Sequence, residues 1–232
     1  MKKLLAPALA ALLMTAAPAK ADDTIVLVEL FTSQGCSSCP PADKNLAALA
    51  ERDDVIALSM HVTYWDYLGW RDTFGRDEHT RRQVAYRDIM GARVIYTPQV
   101  VVHGVTDVPG HKGKAIDAAI DDARAKGSDT KLDIISDGGM VKAVLAATDV
   151  PERCTVWIAS YTKSATVQIQ RGENAGREIT YHNVVTKLMC VGNWDGTAQN
   201  VALPDPGAGE GVAVWIQDSR TGKVLAAQFI EN

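Results

Sequence analysis

An apolar, β-branched run over residues 24–31 leads, after a short turn, into Cys36-Ser37-Ser38-Cys39 and then Pro40-Pro41. Such a run has the pattern of a central strand buried on both faces. Proline is tolerated in the first turn of a helix, where its missing N–H costs nothing, and Leu46, Leu49 and Ala50 continue a helical stripe behind the pair. Strand, turn, cysteines and helix start thus follow in a fixed order. The spacing allows the two sulfurs to close a small disulfide. A helix start aims unpaired backbone N–H groups at the first sulfur and favours its thiolate; in sites of this type the pKa falls from about 8.5 to roughly 3.5–7.5. Cys36 is therefore the expected exposed nucleophile, and Cys39, one turn inside the helix, the buried resolving thiol. The same pair could instead be a structural staple or half of a metal site. Zinc needs further ligands at matched spacing, and His61, His79, His103, His111 and His182 form no such pattern. No metal is expected, and no glycine-rich phosphate loop implies an organic cofactor.

Downstream, residues 55–61 read as a second buried strand and residues 77–90 as a helix closed by Gly91. Residues 94–96 and 99–103 read as strands interrupted at Thr97-Pro98, and residues 114–126 as a last helix ended by Gly127. Between two strand segments a trans proline would break pairing, whereas the cis form costs only about 0.5–1 kcal/mol before proline. Beyond Ser128 the patterns are strands alone, among them a hairpin signal at Asp137-Gly138-Gly139. Strands alternating with helices, then strands only, predict an α/β domain over 22–128 and a β-rich, sandwich-like domain over 129–232.

Several segments resemble known proteins. The order strand, CxxC, helix, strand, helix, strand, Thr97-Pro98, strand, helix is similar to the thioredoxin superfamily across residues 24–127. The stretch 28–43, VELFTSQGCSSCPPAD, together with residues 64–70, YWDYLGW, and Arg171-Gly172-Glu173-Asn174, resembles a family of exported bacterial proteins of unknown function. The resemblance implies an α/β thioredoxin-like domain followed by a mainly β C-terminal domain, and a cis-proline at residues 97–98 that lies against the disulfide and presents backbone to an extended substrate. Thr97 and Pro98 are thus expected to bind substrate. Gly35 stands where thioredoxin has Trp, and Ser-Ser replaces its Gly-Pro.

Glu29 is a carboxylate inside an apolar strand, seven residues before Cys36. Thioredoxin has a buried Asp six residues before its first cysteine, and one extra turn residue would place Glu29 similarly. Burial would raise its pKa and suit it to take a proton from Cys39. Trp65, Tyr67 and Trp70 form either an apolar rim for a partner, with Trp65 and Trp70 touching substrate, or a cap over a core edge.

Lys2 and Lys3, an apolar stretch over 4–17 and Ala19-Lys20-Ala21 form the pattern of a signal peptide cleaved after Ala21. The stretch falls short of the roughly 20 residues of a membrane span, so no anchor is expected after cleavage. Loss of three lysines takes the formal charge from −4 to −7, which argues against a polyanion such as nucleic acid as partner. In a periplasmic or secreted setting thiols within reach pair, leaving Cys154 and Cys190 as a second couple: a structural disulfide between strands, or a second redox pair. The expected function is thiol–disulfide exchange with an unidentified protein or small thiol partner. A non-enzymatic binding protein and a copper- or zinc-handling protein are the alternatives.

Overall fold

The computed structural model describes residues 24–137, 139–151 and 153–232. The expected signal segment, residues 1–21, lies outside the described residues. Strand β1 (Val26–Thr32) and strand β2 (Val55–His61) pair in parallel, Val26 opposite Val55 through Thr32 opposite His61. Every residue of both is buried, as their apolar composition dictates. Strand β3 (Gln99–Val102) runs antiparallel along the other side of β1, and β4 (Thr106–Pro109) closes that edge. The helices are α1 (Pro40–Ala50), α2 (Asp77–Ile89) and α3 (Gly113–Lys126). Side chains of a strand alternate between faces, and β1 uses both. Val26, Val28 and Leu30 pack with Leu46 and Leu49 of α1 and with Ile116 and Ile120 of α3. Leu27 and Phe31 pack on the opposite face with Tyr86 of α2.

In the second half β5 (Leu132–Asp137), β6 (Met140–Leu145) and β9 (Gln199–Ala202) form a three-stranded sheet. Strands β7 (Cys154–Gln168), β8 (Glu178–Trp194), β10 (Glu210–Asp218) and β11 (Val224–Glu231) join the first-half strands instead. The order is β11-β10-β7-β8-β2-β1-β3-β4, and the seam is the parallel pairing of Ser59 with Val184.

This architecture overturns the expected α/β thioredoxin-like domain followed by a β-sandwich. The protein is mostly β, with an eight-stranded mixed sheet to which each half contributes four strands, a three-stranded sheet, and three α-helices among the described residues. The reason is tertiary. Periodicity tells that a strand is buried, and not by what. The face of β1 and β2 bearing Leu27, Phe31, Leu58 and Met60 shares one core with Ala159, Tyr161, Ala213 and Trp215 of the second half. Residues 94–96 carry no strand, and β4 was not anticipated. The runs 155–161 and 166–170 merge into the single strand β7 of 15 residues, paired with the 17 residues of β8. At about 3.3 Å per residue such a hairpin spans roughly 50 Å. Its tip, residues 169–177, comes down on the cysteine loop.

Candidate functional site

Chain leaving β1 turns sharply. Cys36 N–H donates to Ser33 O (3.1 Å) and Cys39 N–H to Cys36 O (3.2 Å). Cys36 and Cys39 form a disulfide with a Cα–Cα separation of 5.4 Å. Cys39 is the N-cap of α1, already in helical conformation, with prolines in the first two helical positions. Its carbonyl accepts from the N–H groups of Ala42 (2.8 Å) and Asp43 (3.1 Å). The expected helix-start pair is therefore present. Its expected exposure is not: Cys36 is 1% exposed and Cys39 0%, although Ser37 and Ser38 between them face solvent.

The cover comes from the second half of the chain. Asn174, at the tip of the β7–β8 hairpin, donates through Nδ2 to the carbonyls of Gln34 and Cys36, both at 2.9 Å. Glu173 Oε2 accepts from the N–H of Ser37 at 3.0 Å. That hydrogen bond holds the exposed Glu173 carboxyl below its usual range. On the other side, a side chain at Gly35 would meet Trp65 Cβ at 3.2 Å, so Trp65 overlies Gly35.

The peptide bond between Thr97 and Pro98 is cis. A Cβ on Gly110 would lie 2.7 Å from Ala42 Cβ and 3.1 Å from Pro98 Cβ, which sets the Pro98 segment against α1 one turn past Cys39. Trp65 donates through Nε1 to Thr97 Oγ1 (2.7 Å), and Trp70 through Nε1 to Gln34 Oε1 (2.8 Å). Both indoles thus brace the loops around the disulfide. Tyr67, stacked on Trp65, is the ring that stands out in solvent, at 78% exposure. Thr97, Pro98, Trp65 and Trp70 are all brought to the cysteine end of the molecule.

Glu29 is not. It occupies the face of β1 turned away from α1, where Arg82 Nη2 donates to it at 2.9 Å and Arg82 Nε and the Tyr86 hydroxyl make further short contacts. Gln217 joins through Arg82 (3.2 Å) and Tyr86 (3.0 Å), and the guanidinium stacks among Tyr86, Trp157 and Trp215. The role expected for Glu29, taking a proton from Cys39, is excluded by strand alternation. An odd-numbered residue of β1 points away from the face on which α1 packs.

The chain matches, over residues 27–217, a family described as a protein of unknown function, DUF1223. It belongs to that family. Among solved structures, protein AGR_C_4864 from Agrobacterium tumefaciens is 31% identical, with 90% of this chain and 94% of that one covered and a TM-score of 0.77. HBP35 of Porphyromonas gingivalis is 12% identical over 90% of this chain and 75% of that one, with a TM-score of 0.61, a similarity of fold alone. No functionally curated protein matches.

In this DUF1223 protein a further buried carboxylate, Asp43, stands one helical turn after Cys39, its N–H bonded to the Cys39 carbonyl, and is absent from the sequence expectations. Asp43 follows Cys39 by four residues, the spacing that puts two helical side chains on one face with Cβ atoms about 5–6 Å apart. It is buried; Thr32 Oγ1 donates to its Oδ1 (2.8 Å), and Oδ2 has no hydrogen-bond partner. Desolvation raises its pKa from 3.8 to about 7, against the opposing pull of His61 and Thr32. Next to it His61 Nδ1 pairs with Asp72 Oδ2 (2.8 Å), while His61 Nε2 is buried and unpartnered. Burial works to raise the Asp72 carboxyl, but His61 and the N–H groups of Gln34 (2.7 Å) and Phe74 (2.9 Å) outweigh it and hold it low. Tyr181 of β8 packs edge-on against His61 (4.8 Å between centroids), so both halves of the chain wall this cluster. The available signal was Asp43 at i+4 from Cys39; an Asp in a first helical turn otherwise reads as a partner for the helix dipole.

Cys154 and Cys190 are both free, which corrects the expected disulfide. Cys154 is buried with Trp194 and Val156, whereas Cys190 is exposed and lies opposite Trp157 in the ladder. Trp157 belongs to the core on the other face of the sheet. Two thiols on opposite faces of one sheet cannot meet. Among the described residues no group of three or more His, Cys, Asp and Glu side chains is placed to hold a metal ion, and no helix is long and apolar enough to cross a membrane.

Proposed function

We propose that this protein is a thiol–disulfide exchange enzyme acting on a protein or small thiol partner in an oxidising compartment outside the cytoplasm. The observation that carries the reading is the Cys36–Cys39 disulfide at the start of α1, with the buried Asp43 carboxyl one turn beyond it on the same helix. The reaction from the reduced state is as follows. The Cys36 thiolate attacks a partner disulfide R–S–S–R′; the Cys36–S–R bond forms and R′S⁻ leaves. Cys39 gives its proton to the Asp43 carboxylate and attacks Cys36 Sγ; the Cys36–Cys39 bond forms and RS⁻ leaves. The pair loses two electrons, and the partner gains them. The reverse steps oxidise a partner dithiol.

A carboxyl with a pKa of about 7 is half ionised at neutral pH, which suits a group that must take and return a proton. Thr97-Pro98, braced by Trp65, supplies the wall beside α1 along which a substrate backbone would lie. In this reading residues 22–128 carry the exchange chemistry and residues 129–232 its cover, and residues 1–21 direct export. A redox titration of Cys36–Cys39 against glutathione tests it. The expected result is a reversible couple above about −300 mV with a measurable exchange rate. A potential below that, with no exchange, would make the bridge structural.

A further inference from the structure

The exchange reading leaves a difficulty: a disulfide that is 0–1% exposed gives a partner sulfur no path to Cys36 Sγ. What stands over it is a built structure. Residues 169–177 close on themselves through Ile169 N–H to Arg177 O (2.9 Å) and Gly176 N–H to Ile169 O (2.8 Å), with Gly172 and Gly176 supplying positive φ of 77° and 81°. Arg177 Nη1 donates to Asn174 Oδ1 (3.1 Å) and so aims the Asn174 amide at its two carbonyls. Asn174 is buried, while Arg171, Glu173 and Arg177 around it are exposed. Three hydrogen bonds to the cysteine loop, made by two neighbouring side chains, hold the tip down.

We propose that residues 171–177 are a displaceable cap over Cys36, and that the segment displacing them is an acidic stretch of peptide next to a partner's cysteine. The proposal rests on the exchange reading above and names the substrate class for that site. The chemistry of the cap specifies the occupant. Lifting it frees two acceptors, Gln34 O and Cys36 O, and one donor, Ser37 N–H. Gln34 O and Ser37 N–H then lose these partners, and Cys36 O keeps the Cys39 N–H alone, unless the incoming segment supplies N–H donors for the carbonyls and a carboxylate in place of that of Glu173. An extended peptide with Asp or Glu beside its cysteine offers both. Arg171 and Arg177, exposed at the two ends of the tip on either side of Glu173, offer guanidinium groups that pair with such a segment's carboxylates and disfavour a basic one. A partner carboxylate that engages Arg177 also removes the hydrogen bond that aims Asn174. Displacement and recognition are then one event. The covalent step that follows is the exchange already written: the partner thiolate bonds to Cys36 Sγ as the Cys36–Cys39 bond breaks, and Cys39 leaves as the thiolate that Asp43 protonates.

The test uses the full chain and two variants, Asn174→Ala and Glu173→Gln. The second changes an exposed side chain and leaves the fold intact even if the first does not. Reduction of Cys36–Cys39 is timed with excess dithiothreitol and with two peptides of equal length, each holding one cysteine flanked by Asp and Glu or by Lys. Hydrogen exchange at the Ser37 amide reports the cap without reference to redox chemistry. We expect dithiothreitol to act about tenfold faster on Asn174→Ala, with the Ser37 amide deprotected, and severalfold faster on Glu173→Gln, with that amide less protected because a neutral amide oxygen accepts more weakly than the carboxylate. The acidic peptide should outpace the lysine peptide at least fivefold on the unaltered chain. Equal dithiothreitol rates despite a deprotected Ser37 amide, or a Ser37 amide unprotected in the unaltered chain, would overturn the cap. A lysine peptide as fast as the acidic one would overturn the substrate class. Faster dithiothreitol reduction in both variants, with no mixed disulfide formed by either peptide, would keep the cap and remove the exchange function instead.

Discussion

Glu29 and Asp43 are buried carboxylates on opposite sides of β1, and they are held in opposite ways. Glu29 has an arginine, a tyrosine hydroxyl and, through them, Gln217. Asp43 has one threonine hydroxyl on one oxygen and nothing on the other. The first arrangement satisfies a fixed charge and ties together β1, α2 and β10. The second leaves a carboxyl whose protonated and ionised forms are close in free energy at neutral pH. A carboxylate that is desolvated and half-satisfied is poised to accept a proton. The contrast separates a structural carboxylate from a chemical one without reference to how near each stands to Cys36 in sequence.

The largest effect should follow breaking the Glu29 side. Glu29→Ala strands the Arg82 guanidinium among Tyr86, Trp157 and Trp215 and should cost about 3–5 kcal/mol in urea unfolding. The exchange rate of the folded fraction should stay unchanged; a selective loss of exchange at undiminished stability would reverse the assignment of the two carboxylates.

Asp43→Asn should behave in the opposite sense. A carboxyl raised from 3.8 to about 7 on folding binds its proton more tightly in the native state. Its contribution to stability is therefore full below about pH 4, falls as pH rises towards 7 and stays lost above. Asn removes that loss, so the variant should gain on the order of 2–4 kcal/mol over the unaltered chain at pH 8 and almost nothing at pH 4. His79 and His103, both lowered by burial from 6.5 to about 4, act the other way and weaken the fold as pH drops through that interval. They are common to both proteins and cancel in the difference. Exchange should slow by about tenfold or more and lose its inflection near pH 7. An unaltered pH–rate profile would rule out Asp43 as the proton acceptor.

Trp65→Phe sharpens the comparison on the Asp43 side alone. It removes the hydrogen bond to Thr97 and should cost about 1 kcal/mol, with slower capture of the acidic peptide. Chemical denaturation and peptide kinetics on one sample would separate the two effects. Cys190→Ser, at an exposed position, should change stability by less than about 0.5 kcal/mol. Thiol titration of the unreduced, denatured chain should find two free thiols, and none would restore the Cys154–Cys190 bridge.

Much of the site was legible because it is local. The strand 24–31, the helix start at Pro40-Pro41 and the cysteine spacing depend on neighbours within a few residues, and β1, α1 and the disulfide lie where those patterns placed them. The role expected for Glu29 fails because spacing from Cys36 along the chain does not set the face of a strand, whereas strand alternation assigns it by parity alone. The weight of Asp43 lies in what its Oδ2 lacks, and an unmet hydrogen bond, unlike the i+4 spacing from Cys39, has no signature in sequence.

By itself the sequence determined that a disulfide would form at a helix start after a buried strand, since ring closure, proline tolerance and apolar burial are properties of adjacent residues. It also determined that the peptide bond before Pro98 could be cis. Only the tertiary structure decided that the second half of the chain would extend the same sheet and lay Glu173 and Asn174 over Cys36, residues separated by 136 and 138 positions from those they bond. Strand pairing and long-range hydrogen bonds select their partners by shape and by unmet donors and acceptors, and those exist only once the chain has folded.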